Sequence, residues 1–388
     1  MSDLPRSFAA AESELHEAAV RASGLEEFGD TEYLEGLRTL LAGYDEEADP
    51  SPAGRHFFWL QTVESLKARL RSERGWAEHP ECRGAPIERP LFIVGLPRTG
   101  TTALHRMLAE DPQFQGLEMW LGDVPKVRPP REAWADDPDF RECDERLRTR
   151  NRASPEMNAI HPMAAEWVDE CWHLKSQSFA NCTYECNASL PGYSAWYAAH
   201  DQRPAYRRHR DNLNLIGHGQ PQRWLLKDAD HLFGLDALLD VYPDARVVFT
   251  HRDPVRLLPS VCSLLRASRT ALDARLDLER LGRDQFAMWE RGIYSTLDAR
   301  RGHDPAQFYD LQFHDFQRDP LECIRKIYAQ FGLDLSDEAE RRIQAWRDAN
   351  PPGAHGGHIY SLDDFGLDEG EILERFRAYT DTFDIPRG

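Results

Sequence analysis

The stretch Leu91-Phe92-Ile93-Val94-Gly95-Leu96-Pro97-Arg98-Thr99-Gly100-Thr101-Thr102 restricts this chain more than any other. Its apolar start, bounded by Pro90 and Gly95, has the texture of a short strand buried on both faces. It runs through a glycine-bearing loop into a helical pattern with Leu104, Met107 and Leu108 on one face. Strand, glycine loop and helix in that order make an anion cradle. Backbone N–H groups and the helix N-terminus point at the anion, and glycine lets it approach. Thr101 and Thr102 add hydroxyl donors. The Gly95–Gly100 spacing matches the opening of a Walker A loop, but Thr101-Thr102 stand where Lys and then Ser/Thr would follow. The cation instead sits inside the turn, at Arg98.

Two further apolar runs end in polar clusters. Trp224-Leu225-Leu226 ends at Lys227-Asp228, and Arg246-Val247-Val248-Phe249-Thr250 ends at His251-Arg252-Asp253-Pro254. Phe308-Tyr309-Asp310-Leu311 is a fourth candidate strand. Strands alternating with helical patterns predict an α/β fold with a P-loop-like parallel sheet flanked by helices. Ligands of such sheets sit beyond the carboxyl ends of the strands. Ahead of the sheet, residues 1–88 predict an N-terminal helical extension. Leu15, Ala18, Ala19 and Ala22 share one helical face; Tyr33, Leu34, Leu37, Leu40 and Leu41 share a second; Phe57, Leu60, Val63, Leu66 and Leu70 share a third. Residues 89–388 then form the α/β domain. Within it, 150–215 is a helical insertion rich in aromatics, read either as an acceptor site or as a subdomain core.

Arg252 ends the third run, and Asp253-Pro254 reads as N-cap and first position of a helix. Ser260 follows about two turns into that helix at ~3.6 residues per turn. A forked cation at a strand end and a hydroxyl on the adjoining helix can flank one phosphate. A cation inside the first loop suits a 5′-phosphosulfate, which has no second phosphoanhydride to neutralise. A triphosphatase needs its Lys on the β,γ-phosphates and a hydroxyl on Mg²⁺.

Together, Pro97-Arg98-Thr99-Gly100-Thr101-Thr102 and Arg252/Ser260 resemble the two nucleotide motifs of the PAPS-dependent sulfotransferases (PAPS, 3′-phosphoadenosine 5′-phosphosulfate). The similarity covers about residues 90–365, with Asp244-Ala245-Arg246, His358-Ile359-Tyr360 and Phe365-Gly366-Leu367 similar to a bacterial branch. The resemblance implies PAPS as co-substrate, PAP as product, no metal requirement, and in-line attack of an acceptor hydroxyl on sulfur. It implies that Pro97 to Thr102 hold the phosphosulfate, with Arg98 at the leaving oxygen, and that Arg252 and Ser260 hold the 3′-phosphate. Ala103 stands where cytosolic members have an adenine-stacking Trp, so the adenine contact is unassigned. His355-Gly356-Gly357-His358 replaces their Arg-Lys-Gly loop, which makes His355 and Gly356 candidate 3′-phosphate contacts or a plain glycine loop.

An alcohol acceptor needs a base within hydrogen-bond reach. The resemblance implies the first candidate, His231: cytosolic members place a Lys and a catalytic His two residues apart after the equivalent strand, and here His231 follows Lys227 by four, a spacing that one i,i+4 helical turn would still put on one face. Glu118 is the second and Glu166 the third. Lys227 is assigned to the sulfuryl oxygens, or else to a salt bridge with Asp228 or Asp230. No metal site is assigned: Cys171, Cys182, Cys186 and His173 lack paired knuckle spacing, and buried thiols explain them.

A formal charge of −19 argues against general nucleic-acid binding. Mean hydropathy is −0.63, and no apolar run reaches membrane-spanning length. Met1 to Ala10 lacks a signal pattern, and seven scattered Cys suit a reducing cytoplasm. The expected partner is a small-molecule, lipid or carbohydrate alcohol. Homo-oligomers are common for this fold, but no feature here sets an interface. Two alternatives stand beside this reading: an ATP-dependent P-loop kinase, and a non-catalytic nucleotide-binding homologue.

Overall fold

The computed structural model describes residues 4–153, 162–351 and 361–387. Five parallel strands form its sheet: β1 (Leu91–Gly95), β2 (Phe114–Gln115), β3 (Arg223–Lys227), β4 (Arg246–His251) and β5 (Phe308–Gln312), in the order β2-β3-β1-β4-β5. Four of these were legible as apolar runs; β2, two residues long, was not. β1 is central and buried at every position. It pairs with β3 (Ile93 opposite Lys227) and with β4 (Gly95 opposite Thr250).

Strand alternation divides the core. Leu91 and Ile93 pack with Leu225, Val248 and the helices Thr101–Leu108 and Pro320–Phe331. Phe92 and Val94 face the other way, into a larger cluster that includes Leu37, Leu66 and Leu70 of the N-terminal helices.

Those helices are α1 (Glu12–Ser23), α2 (Tyr33–Glu46) and α3 (Pro52–Glu78). Ser51 caps α3 by accepting from Gly54 N, and Pro52 occupies its first turn, where a missing N–H costs nothing. α3 is tied to the α/β part by buried polar groups. Arg208 bonds Glu73 Oε1 at 2.8 Å, and Arg69 reaches the carbonyls of Phe28, Asp30 and Gln177. Two positions depart from the sequence reading: Ala22 is exposed, and Leu60, expected on the buried stripe, is 44% exposed. Leu60 lines an open cleft, described below.

Candidate active site

The first loop connects β1 to α4 (Thr101–Leu108). Gly95 is required by close approach, since a Cβ there would lie 2.1 Å from Thr250 Oγ1. Gly100 caps α4 with φ 85°, in the left-handed region that favours glycine. Arg98 also has positive φ, at 69°, a conformation uncommon outside glycine and frequent at functional sites. Thr99 is buried, and its hydroxyl is spent inside the fold: Oγ1 lies 2.7 Å from the Leu96 carbonyl oxygen and 2.6 Å from Thr250 Oγ1. Thr99 therefore pins the loop to β4 and has only its backbone N–H to offer a ligand. Pro97 has no N–H and contributes shape. Thr101 and Thr102 open α4, where the first N–H groups lack intrahelical acceptors.

The second constellation closes on the first. Asp253 caps the helix Pro254–Leu272 by accepting from Val255 N at 3.0 Å, and Pro254 sits in its first turn. Ser260, buried on that helix, accepts from Arg98 Nε at 3.4 Å. Arg252 Nη1 donates to the Arg98 carbonyl at 2.6 Å, and its guanidinium stacks 4.4 Å over the Phe313 ring. Phe313 also borders Gly100, whose Cβ would come within 3.3 Å of it. An aromatic face thus stands between Arg252 and the glycine loop. His355 and Gly356 lie outside the described residues.

Lys227 ends β3 on the α4 side of the sheet. Its Nζ lies 3.3 Å from Thr102 Oγ1 and forms an ion pair with Glu170. The expected alternatives, pairs with Asp228 or Asp230, are not what forms. Asp230 is buried against Lys175. Burial, reinforced by the neighbouring carboxylates Glu170 and Asp230, raises the Asp228 pKa well above the usual carboxylate range.

Glu170 was missed by the sequence reading. It is partly exposed, at 28% of its side chain, and stands beside Lys227, which touches the Thr102 hydroxyl. It belongs to a segment without motif or periodicity. The antiparallel contact of Glu118 with Val168, and the bond from Cys171 N to the Lys227 carbonyl, bring it to the strand ends.

Among the three expected bases, His231 is buried and Glu118 and Glu166 are half-buried. His231 is fully buried, with Nδ1 2.9 Å from the Tyr206 hydroxyl and its ring edge-on to Phe92 at 5.1 Å. Phe92 faces the opposite side of the sheet from Ile93 and Lys227, so His231 and Lys227 do not share a face. Residues Ala229–Leu232 form a tight 3₁₀ turn capped by Asp228, so the i,i+4 argument does not apply. Burial and the nearby Lys175 lower its pKa well below that of a free imidazole. Glu118 is clamped by Arg128 at 2.9 and 3.2 Å. Burial raises its pKa against the pull of Arg128. Glu166 is half-buried beside the exposed Trp167.

The cysteines follow the simpler reading. Cys171 and Cys182 are buried, and desolvation lifts their thiols well above the ordinary range. His173 bonds Asp123 at 2.9 Å instead.

Two residues beyond Glu170 a cleft of about 360 Å³ opens between α3, the helix Pro138–Ala153 and the Trp172–Ser176 segment. Phe57, Leu60, Ala68 and Trp172 give it an apolar wall, and Glu64 and Arg146 give it a charged rim. No helix among the described residues is long and apolar enough to cross a membrane.

Residues 90–337 match the sulfotransferase family. The crystal structure of sulfotransferase STF1 from Mycobacterium tuberculosis is 40% identical, with a TM-score of 0.89 over 96% of this chain and 100% of that one. That of sulfotransferase STF9 from Mycobacterium avium is 27% identical, with a TM-score of 0.90 over 99% of each. Among curated proteins, the omega-hydroxy-beta-dihydromenaquinone-9 sulfotransferase Stf3 of Mycobacterium bovis is 26% identical over 266 residues. That match spans 63% of this chain and 63% of the relative's length.

Proposed function

This chain belongs to the sulfotransferase family, and we propose from that premise that it moves a sulfuryl group from PAPS to a hydroxyl of an apolar or amphipathic acceptor. The observation that carries the reading is the meeting of Arg98, Ser260 and Arg252, from two segments far apart in sequence. An acidic chain gathers Arg98, Arg252 and Lys227 at the carboxyl ends of β1, β3 and β4. A site with those donors suits a ligand carrying anions at two places.

In this reading the N–H groups of Thr99 to Thr102 and the Thr102 hydroxyl hold the 5′ end. Arg98 offsets charge growing on the leaving phosphate oxygen. Arg252 and Ser260 take the 3′-phosphate, where the forked guanidinium gives direction as well as charge. Lys227, next to Thr102, meets the sulfuryl oxygens. Glu170 is the general base: it accepts the hydroxyl proton as the acceptor oxygen bonds sulfur and the sulfur–oxygen bond to phosphate breaks. The products are the sulfate ester and PAP.

The cleft beside Trp172 supports an apolar acceptor. The name of the Mycobacterium bovis relative gives a hydroxylated dihydromenaquinone as its acceptor, which agrees in character with that wall. The test is transfer of radiolabelled sulfur from PAPS to alcohols of graded apolar length. Transfer should rise with chain length, and Leu60→Asp should raise KM for long acceptors about tenfold while PAP affinity stays unchanged. Transfer indifferent to both would refute the acceptor assignment.

A further inference from the structure

Away from that cleft, three side chains with metal-ligand chemistry meet where α3 joins the α/β part. His79 ends α3, Glu81 lies on the following turn Pro80–Cys82, and His218 follows the helix Arg203–Ile216. His79 Nδ1 is 3.4 Å from Glu81 Oε1, and His218 Nε2 is 3.5 Å from the same oxygen. All three ligand atoms lie within 4.8 Å of one another, the one such group among the described residues. These separations are long for imidazole–carboxylate hydrogen bonds, which sit at roughly 2.7–3.0 Å. They suit co-ligands of one ion: two atoms about 2.05 Å from a tetrahedral Zn²⁺ stand roughly 3.3 Å apart.

The outer partners agree. His218 Nδ1 lies 3.7 Å from Cys82 Sγ, and that sulfur lies 3.5 Å from the Asn214 carbonyl oxygen. With the ring N–H donating to sulfur and the thiol donating to the carbonyl, Nε2 keeps its lone pair toward Glu81. Such a partner on the second ring nitrogen is what fixes the tautomer of a ligating histidine. Side-chain exposures of 34% for His79, 57% for Glu81 and 37% for His218 leave room for water on a fourth position.

We propose that His79, Glu81 and His218 bind a zinc-class divalent cation that clasps the end of α3 to the helix Arg203–Ile216. Two imidazoles and a carboxylate are borderline ligands, which favour Zn²⁺ over Mg²⁺ or Ca²⁺. The ion has no part in sulfuryl transfer, so the two readings stand or fall separately.

The untagged full-length chain, stripped with chelator, is titrated with Zn²⁺ by calorimetry and with Co²⁺ by visible absorption. One equivalent should bind, a tetrahedral Co²⁺ band should appear, and Zn²⁺ should raise Tm. His79→Ala and His218→Ala should each weaken that site at least about tenfold and abolish the Tm rise, with circular dichroism unchanged. Glu81→Gln should weaken it with less disturbance to the surface. No saturable binding by the wild-type chain, or equal binding in all three variants, overturns the proposal.

Discussion

Arg98 reaches Ser260: its Nε lies 3.4 Å from Oγ, although 162 positions separate the two residues. Arg252 completes the contact by bonding the Arg98 carbonyl. The Gly95–Thr102 loop and the Arg252/Ser260 pair therefore form one donor cluster, in which Arg252 both holds the loop and carries a charge of its own.

Arg252→Ala should separate these roles. If Arg252 serves a 3′-phosphate, PAP affinity falls at least about tenfold more than 5′-AMP affinity, as expected for a lost charge-assisted pair. Calorimetry with both nucleotides checks this. Equal losses would mean that Arg252 acts only by holding the loop.

Glu170→Gln keeps an acceptor beside Lys227 but removes the proton-accepting carboxylate. The kcat should fall about 10²–10⁴-fold, with PAP affinity unchanged. His231→Asn should leave kcat within a few-fold while lowering Tm, since the ring is packed in the core. Steady-state kinetics on both variants decides, and the reverse pattern would restore His231 as the base.

Buried histidines set an acid limit. Burial lowers His105 and His209 to about 3, helped by Lys227 and Lys175 respectively, and it also lowers His231 well below the ordinary imidazole range. In the unfolded chain these rings take up protons from about pH 6.5 downward, whereas the native rings do not. Their contribution to stability is thus whole above about pH 6.5 and is lost as pH falls toward 3, at about 1.4 kcal/mol per pH unit for each ring. Denaturation midpoints should fall between pH 6.5 and 5, before most carboxylates titrate. His209→Gln should flatten that slope; an unchanged slope contradicts the assignment.

The legible parts of the fold were those where burial writes itself into local sequence. β1, β3 and β4 are buried strands and read as apolar runs with polar ends. The Asp253-Pro254 cap was equally plain, because capping chemistry is local. β2 is too short to carry a period. Glu170 could not be found because its partner Lys227 lies 57 positions away, and only the fold brings them together. The His231 and Lys227 side chains leave on opposite faces because a strand-to-turn boundary, and no α-helical turn, separates them. Leu60 kept its helical face but gained a cleft in place of a partner.

The central claim is that this site holds a nucleotide with a 3′-phosphate and no metal-bound triphosphate. Thermal denaturation in PAP, 5′-AMP, and ATP with Mg²⁺ tests it directly. At about 100 times its Kd a ligand adds roughly 2.7 kcal/mol to the native state, a shift of a few degrees. The account predicts that PAP gives this shift and that 5′-AMP and ATP with Mg²⁺ give far less. A shift with ATP and Mg²⁺ but none with PAP would contradict it and make the first loop a kinase site.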